Sequence, residues 1–397
     1  MSALQKSIMK SKLPPRCPKS GSGKMAPFGM ARRKDYSPVS WDHYFEKYVD
    51  VDTESGIFRV YMSPEPDHSH RPRLVTLHGG GYSGLSWSLF TEEITNMIHC
   101  QVISMDIRGH GETQAINPDD LSADTLVKDV EQVLQKLFGA ELPPLILVGH
   151  SMGGAVAVRA AHQPALEHYV HGIAVIDVVE GTAMDALASM QSFLRGRPTH
   201  FRSIEHAIEW CVRSGQVRNV DSARVSMPSQ IVNCKTNQLA INELSNRTPS
   251  MDEPGPVGPQ PRADRIAEEP EDGEESFVKP GVVGDGDTAM RYAWRINLAA
   301  TERYWSGWFS GLSGRFLAAR APRLLLLASV DGLDRELTVG QMQGKFQMQV
   351  LTRCGHAVHE DSPGEVARVI AAFALRHRLT EATENGEHMS LVNAPGC

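Results

Sequence analysis

The decisive stretch of this sequence is LILVGHSMGGAVAVRAA, residues 145–161. Its apolar start, Leu145 to Gly149, predicts a short buried strand, and its small-residue end favours a helix. Glycines at 149, 153 and 154 surround Ser151, and such small neighbours permit a tight strand-to-helix turn with a strained backbone at the serine. We therefore expect the Ser151 hydroxyl to project from the top of a sheet, beside the N-terminus of a helix.

Further short apolar runs on both sides of this stretch are bounded by Gly, Pro or Asp and predict more buried strands. Between Leu126 and Phe138 the apolar residues follow the helical period, with Ser122 or Asp120 as the N-terminal cap and Gly139 as the stop. This alternation predicts right-handed crossovers and a mostly parallel sheet with helices on both faces. The additional predicted strands are Ile57 to Met62, Leu74 to His78, Val102 to Asp106, Gly172 to Asp177, Leu324 to Ala328 and Phe346 to Leu351.

The residues around Ser151 fit G-x-S-x-G, the nucleophile motif of α/β-hydrolases. A second segment, His78-Gly79-Gly80-Gly81, follows a predicted strand and matches the loop that supplies half of an oxyanion hole in that fold. We assign the backbone N–H groups of Gly80 and Met152 to this hole, since fixed dipoles stabilise developing charge without reorganising. The sequence thus predicts an α/β-hydrolase fold with a serine nucleophile, in which His78 and His110 have structural roles.

A serine hydroxyl needs a general base to be a good nucleophile at neutral pH. In this fold the chain order is serine, acid, histidine, so a histidine after the last predicted strand is in the right place. His356, next to the turn residue Gly355, is the better candidate. We expect His359 to cap the following helix or to face solvent.

The residues by themselves leave the catalytic acid open. The usual position, after the strand that precedes the histidine loop, offers Asp331 or Asp334. Asp177, at the end of an earlier predicted strand, competes with them. Either position can aim a carboxylate at the imidazole and hold its tautomer, so spacing does not decide.

The composition excludes several classes of protein. The 397 residues, 41% hydrophobic and 22% charged, fit one large domain or two ordinary ones and exclude collagen-like, coiled-coil and wholly disordered chains. No run approaches the roughly 18 apolar residues of a membrane span, so we expect a protein of the cytoplasm or nucleus with no membrane partner. Six scattered cysteines suit reduced thiols, and without a nucleotide-binding loop or zinc motif we expect no cofactor and no metal.

The net charge of −7 conceals two oppositely charged segments. Nine basic residues and no acid precede Asp35, whereas eleven acids stand against three bases between Asp252 and Asp287. Both segments are rich in Pro, Gly and Ser, a composition that does not bury enough apolar surface to offset the ordering entropy. The basic segment has no interleaved aromatic residues, which favours a solvated tail over nucleic-acid binding.

These patterns predict a single catalytic domain to which an N-terminal arm, a lid with an insert, and a C-terminal tail are added. A disordered basic arm is expected at residues 1–38, and the α/β-hydrolase core at 39–180 and 321–385. A helical lid region at 181–320 contains a disordered acidic insert at about 235–288. A flexible tail is expected at 386–397.

Beyond the general hydrolase motifs, the sequence resembles one family in particular, the protein phosphatase methylesterases. The resemblance covers nearly the whole chain and is loose only in the acidic insert and the last dozen residues. It is carried by YSPVSWDHYF (36–45), LHGGGYSGLSW (77–87), GHSMGGA (149–155), IDVVEGTAMDAL (176–187), FLRGRP (193–198), SARVSM (222–227), TVGQMQGKFQMQVL (338–351) and CGHAVHED (354–361).

The resemblance implies a serine esterase with Ser151 and His356 as catalytic residues. It also implies that the acid is Asp177, in the IDVVEG string, so that Asp331 and Asp334 become second choices. The implied substrate is the methyl ester on the C-terminal leucine of the protein phosphatase 2A catalytic subunit, with methanol released. Scaffold and regulatory subunits are further candidate partners. A phosphatase-binding inhibitor with secondary hydrolysis, and a general carboxylesterase, are the alternatives.

Specificity is expected from the lid, because a methanol leaving group needs no large pocket. Residues 294–313 include Trp294, Trp305 and Trp308, whose rings either contact the phosphatase or fill the lid's own core. Arg195 and Arg197 are candidates for meeting acidic groups on the partner, with solvated loop charge as the equal alternative. Within the insert, the segment 265–269 resembles short motifs that a phosphatase regulatory subunit reads.

Overall fold

The computed structural model describes residues 34–245, 290–329 and 332–386. Most of the predicted arm, acidic insert and tail, the segment 265–269 and the candidate acid Asp331 lie outside the described residues. Two parts of the predicted segments are described. Arg224 donates hydrogen bonds to the carbonyl of Ser37 and the carboxylate of Asp35, and residues 235–245 form a turn followed by a short helix.

The strands form one large sheet and one small one. The large sheet has the order β1-β2-β4-β3-β6-β7-β11-β12, with β5 paired to β2, and the small sheet has the order β8-β10-β9. In chain order the strands are β1 (Lys47–Thr53), β2 (Gly56–Met62), β3 (Arg73–Leu77), β4 (Gln101–Met105), β5 (Gln114–Ala115), β6 (Leu145–His150), β7 (Val170–Ile176), β8 (His200–Phe201), β9 (Ile231–Asn233), β10 (Tyr292–Trp294), β11 (Arg323–Leu327) and β12 (Gln347–Val350).

Twelve α-helices of the described chain accompany these strands. They are α1 (Ser88–Met97), α2 (Ala123–Phe138), α3 (Met152–Ala160), α4 (Glu180–Arg195), α5 (Ile204–Arg213), α6 (Val220–Ser226), α7 (Asn242–Ser245), α8 (Glu302–Phe309), α9 (Leu312–Ala318), α10 (Arg335–Met342), α11 (Val358–Asp361) and α12 (Pro363–Arg376).

The large sheet is parallel from β4 to β12, as predicted, and antiparallel at the β1-β2-β4 edge. Every residue of β3, β4 and β6 is buried, because helices cover both faces of the sheet. One face packs on α2 and α3, and the other packs on α1 and α12. The α/β-hydrolase fold predicted from the pattern is therefore confirmed.

The sequence predicted a helical lid between β7 and β11, but this region is not built of helices alone. It contains the antiparallel sheet β8-β10-β9, whose middle strand follows the undescribed segment 246–289 while its two partners precede it. A separate hydrophobic cluster fills this part of the lid, and Tyr82 and Ala357, which lie outside the lid, belong to it. The lid thus packs directly on the loops that follow β3 and β12.

Three findings concern the described residues only. None of their helices is long and apolar enough to cross a bilayer. Cys100, Cys211, Cys234 and Cys354 are unpaired thiols, and Cys17 and Cys397 lie outside the description. No group of three His, Cys, Asp or Glu side chains in this part of the chain is placed to hold a metal ion.

Candidate active site

Ser151 occupies the turn between β6 and α3, with backbone angles of φ 52° and ψ −119°. A non-glycine residue in this region is strained, and the turn is held by the bond from Ser151 N–H to the Ile176 carbonyl at 3.0 Å. A side chain at Gly153 would overlap the carbonyl oxygen of Leu77, and one at Gly149 would overlap that of Gly153. The glycines therefore let the serine turn approach the β3 end closely.

Two buried histidines fix the glycine loop after β3. His78 accepts a hydrogen bond from Ile107 N–H at Nε2 (3.0 Å) and donates from Nδ1 to the Gly79 carbonyl (2.8 Å). His110 accepts from Gly81 N–H at Nε2 (2.9 Å) and donates from Nδ1 to the Arg108 carbonyl (2.9 Å). Burial lowers the pKa of both rings, to about 4 for His110, so both are neutral. Their structural roles agree with the sequence analysis.

This arrangement leaves the amides of Gly80 and Met152 available. The Gly81 amide is already bonded to His110, and within the described chain the Gly80 amide has no acceptor. Met152 is the first residue of α3, where an amide has no partner inside the helix. The Met152 sulfur lies 3.9 Å from the position that a β-carbon on Gly80 would take, so the start of α3 packs beside the glycine loop.

His356 and Asp177 meet although β11 lies between their strands, since Asp177 follows β7 and His356 lies in the loop after β12. Nδ1 of His356 lies 2.8 Å from Oδ2 of Asp177, and the backbone N–H of Ala328 donates to Oδ1 at 2.9 Å. Burial acts to raise the pKa of Asp177, but the hydrogen bond and charge of His356 together with the Ala328 amide hold it below its usual value. The carboxylate is therefore ionised, and its oxygens are directed by fixed partners.

The loop that carries His356 is anchored on both sides. The His150 ring donates from Nε2 to the His356 carbonyl at 2.9 Å. Asp361 accepts from the backbone N–H groups of Gly355 and Arg218, the latter from the lid. Burial lowers the pKa of His150 well below its usual value, which keeps the ring neutral.

The imidazole of His356 is open to solvent, with its side chain 55% exposed, and its ring centroid lies 4.7 Å from that of His150, the neighbour of Ser151. Within the described chain no hydrogen bond joins the Ser151 hydroxyl to the His356 ring. Such bonds in free enzymes are often long and tighten when substrate binds. The His356 ring therefore lies between the Asp177 carboxylate and the ring of His150, the residue that precedes Ser151.

Other candidates from the sequence have different surroundings. Asp334 caps α10 by accepting from the Leu337 amide, and it also accepts from the Ser313 hydroxyl. It has no contact with His356, and Asp331 is outside the described residues. His359 neither caps a helix nor faces solvent. That expectation was wrong, because the ring is completely buried and packs 4.2 Å from the Trp87 ring.

The aromatic residues of the lid are mostly internal. Trp305 and Trp308 belong to the main hydrophobic core, and Trp308 donates to the carbonyl of Leu121. Leu298, from the same lid segment, lies over Gly80. Its Cδ1 atom is 3.3 Å from the position that a β-carbon on Gly80 would occupy. A polar cavity of about 420 Å³ lies elsewhere, between the β4 loop and the lid, and is lined among others by Glu112, Gln238 and Arg295.

Sequence reasoning missed the residues that position the triad. His150 was read only as part of G-x-S-x-G, and nothing in the linear pattern joins it to the carbonyl of His356. The Ala328 amide carries no side-chain signal at all. Asp361 could have been noticed as an acid five residues after His356, where the chain turns into a helix.

The pattern of the Alpha/beta hydrolase family matches residues 74–369. Solved structures with the same fold include E-2-(acetamidomethylene)succinate hydrolase (TM-score 0.56, 17% identity, covering 82% of this chain and 97% of that one) and a marine microorganism esterase (TM-score 0.51, 17% identity, covering 80% and 99%). The chain is therefore an α/β-hydrolase.

Much greater similarity narrows the class. The chain is 49% identical to protein phosphatase methylesterase 1 of Bos taurus over 391 residues, which cover 96% of this chain and 98% of the relative. The identity is also 49% with the Homo sapiens protein of that name, over 96% of this chain and 97% of the relative. With the probable protein phosphatase methylesterase 1 of Caenorhabditis elegans the identity is 39%, over 95% of this chain and 86% of the relative. This chain belongs to the protein phosphatase methylesterase family.

Proposed function

We propose that this protein removes the methyl ester from the C-terminal leucine carboxylate of the protein phosphatase 2A catalytic subunit. Ser151 is the nucleophile, His356 the general base and acid, and Asp177 the carboxylate that orients the imidazole. The observation that carries the proposal is the contact between His356 Nδ1 and Asp177 Oδ2, in a chain 49% identical to a protein phosphatase methylesterase.

The reaction begins when Ser151 Oγ attacks the ester carbonyl carbon and His356 Nε2 takes the hydroxyl proton. The negative charge on the carbonyl oxygen is stabilised by the N–H groups of Gly80 and Met152. His356 keeps its Nδ1 proton and donates it in a hydrogen bond to Asp177, whose carboxylate stabilises the imidazolium. When the bond between the acyl carbon and the methoxy oxygen breaks, His356 gives its proton to that oxygen and methanol leaves.

The second half repeats these steps with water. His356 takes a proton from a water molecule, whose oxygen attacks the acyl carbon bound to Ser151. The proton then passes to Ser151 Oγ as the acyl bond breaks, and the free carboxylate departs. Every proton in this scheme passes through His356, whose open ring accommodates both methanol and water.

Methanol needs no large leaving-group pocket, so we assign recognition to the phosphatase chain. We place the encounter in the cytoplasm or nucleus, where the phosphatase catalytic subunit is the partner and its scaffold and regulatory subunits add contacts.

The direct test is mass spectrometry of carboxymethylated phosphatase before and after incubation with this protein. Loss of the methyl mass from the C-terminal peptide, with equimolar methanol, is expected. If small esters are hydrolysed while the phosphatase keeps its methyl group, the protein is a general carboxylesterase instead.

A further inference from the structure

Arg197, in the loop between α4 and β8, lies on an aromatic surface. Its guanidinium carbon is 3.6 Å from the Trp294 ring centroid and 5.9 Å from that of Trp210. Trp294 is fixed in turn by donating its indole N–H to the Pro198 carbonyl. Stacking on the Trp294 ring orients the planar guanidinium, and Trp210 lies edge-on beside Trp294.

This cation has no counter-ion among the described residues. No carboxylate there lies within 4.0 Å of Arg197, and its Nε is buried without a hydrogen-bond partner. Burial lowers its pKa to about 10. The contrast is Arg108, which is fully buried and whose Nε and Nη2 each donate to Asp129 at 2.7 Å. Arg197 is only partly buried and has no such partner among the described residues, so its guanidinium is available to an anion from outside.

The position of Arg197 relates it to the active site. Its Nη1 lies 4.0 Å from where a Gly81 side chain would begin, whereas the same position on Gly80 meets Leu298 and Met152 instead. The guanidinium therefore lies next to the glycine loop, on the side of Gly81. A group bound to Arg197 would stand close to that loop.

We infer that Arg197 is a specificity-determining residue that binds the carboxylate of an acidic side chain in the peptide preceding the methyl-esterified leucine. The ester end is neutral, so the negative charge must come from a neighbouring residue. A guanidinium fork fits a carboxylate through two parallel hydrogen bonds. This inference rests on the proposed esterase function and adds a sequence preference to it.

Arg195 supplies a matched control. It is two residues away, at the end of α4, but it is exposed and its Nε donates only to the Gln191 carbonyl of its own helix. The two arginines were equal candidates in the sequence, and their surroundings now distinguish them.

The experiment uses short synthetic peptides ending in leucine methyl ester, with glutamate or glutamine at successive positions before the leucine. Methanol release gives kcat/KM for the full-length wild type, Arg197→Met, Arg197→Lys and Arg195→Met. At one position the wild type should prefer glutamate by roughly ten- to hundredfold, the range of a charge-assisted hydrogen bond. Arg197→Met should abolish this preference through KM, Arg197→Lys should retain part of it, and Arg195→Met should leave it intact.

Arg195→Met reports the integrity of the site, and Arg197→Met should lose far less activity on the glutamine peptides than on the glutamate peptides. An absent glutamate preference in a wild type that hydrolyses all the peptides overturns the inference but not the esterase proposal. Equal loss on glutamate and glutamine peptides, in a variant whose circular dichroism is native, also overturns it, since Arg197 would then only support the lid. A wild type that hydrolyses none of the esters contradicts the proposed function itself.

Discussion

The carboxylate of Asp177 divides its oxygens between Ala328 and His356, accepting from the Ala328 amide at Oδ1 (2.9 Å) and facing the His356 ring at Oδ2 (2.8 Å). Asp177 follows β7, and Ala328 follows β11, the adjacent parallel strand. The neighbouring strand thus orients the acid before any substrate binds.

The relationship predicts the effect of Asp177→Asn. An amide placed there cannot accept at both positions as a carboxylate does, so the imidazole loses its tautomer and its stabilised positive charge. We expect kcat to fall by roughly four orders of magnitude, as for other triad acids. Steady-state kinetics on a leucine methyl ester would measure it.

The control for this change is Asp334→Asn, because asparagine caps a helix about as well as aspartate does and Asp334 bonds to Leu337 and Ser313, not to His356, within the described chain. Its turnover should match the wild type, as should that of Asp331→Asn. A large loss in either control with a mild effect at Asp177 would return the acid to the usual position of the fold.

Ser151→Ala separates catalysis from binding. Without the hydroxyl no acyl intermediate forms, and hydrolysis should fall at least roughly a thousandfold. The variant should still bind the phosphatase, because Ser151 lies in a turn and its methyl replacement disturbs no contact of the lid. Calorimetric titration against the purified phosphatase tests this, and residual wild-type turnover would exclude Ser151 as the nucleophile.

The serine turn should tolerate no side chain at Gly153. A methyl group there overlaps the Leu77 carbonyl, and we expect Gly153→Ala to lower the free energy of unfolding by roughly 3 kcal/mol or more. Gly307→Ala is the matched change, since Gly307 lies in α8 with open space around it, and it should stabilise by about 0.5–1 kcal/mol. Urea denaturation of both variants checks the pair, and equal midpoints would contradict the close approach of α3 to β3.

Acid should destabilise the protein through its buried neutral histidines. The pKa of His110 is about 4 in the folded protein and about 6.5 in the unfolded chain. The unfolded chain therefore binds a proton first as the pH falls below about 6.5, and the free energy of unfolding decreases until the pH reaches about 4. His110→Gln retains an acceptor for the Gly81 amide but does not titrate. Between pH 7 and pH 5 the wild type should therefore lose about 2 kcal/mol more than the variant. Parallel pH curves in urea denaturation would show that His110 is not neutral in the folded protein.

Much of the fold was predictable because the parallel strands are short, apolar and bounded by turn residues. All seven predicted strands agree with the structure to within a residue or two at each end, and Phe346 to Leu351 is one residue shorter at each end, at Gln347–Val350. The edge strand β1 was missed although Val49, Val51 and Thr53 alternate with polar residues. The strands of the small sheet, β8, β9 and β10, have two or three residues each, too few for any periodicity to appear.

The site was predictable where a motif places a residue and not where tertiary packing does. Ser151 and His356 stand in local patterns, but the choice among Asp177, Asp331 and Asp334 depended on resemblance, because spacing gives each a strand end. Arg197 shows the same limit. Arg195 and Arg197 are two residues apart, but only Arg197 packs on Trp294. Trp294 follows the undescribed segment 246–289 in the sequence, so this contact depends on tertiary packing.

The strand β10 lies between β8 and β9, and Cys234 N–H donates to the Arg291 carbonyl at 2.7 Å. The chain on either side of residues 246–289 is therefore joined by the backbone bond from Cys234 to Arg291 and by the hydrogen bond from the Tyr292 hydroxyl to Glu243. Loop closure costs only about 0.6 kcal/mol of entropy for each doubling of loop length. Changes in the length of the stretch between these ends should therefore cost the fold little free energy.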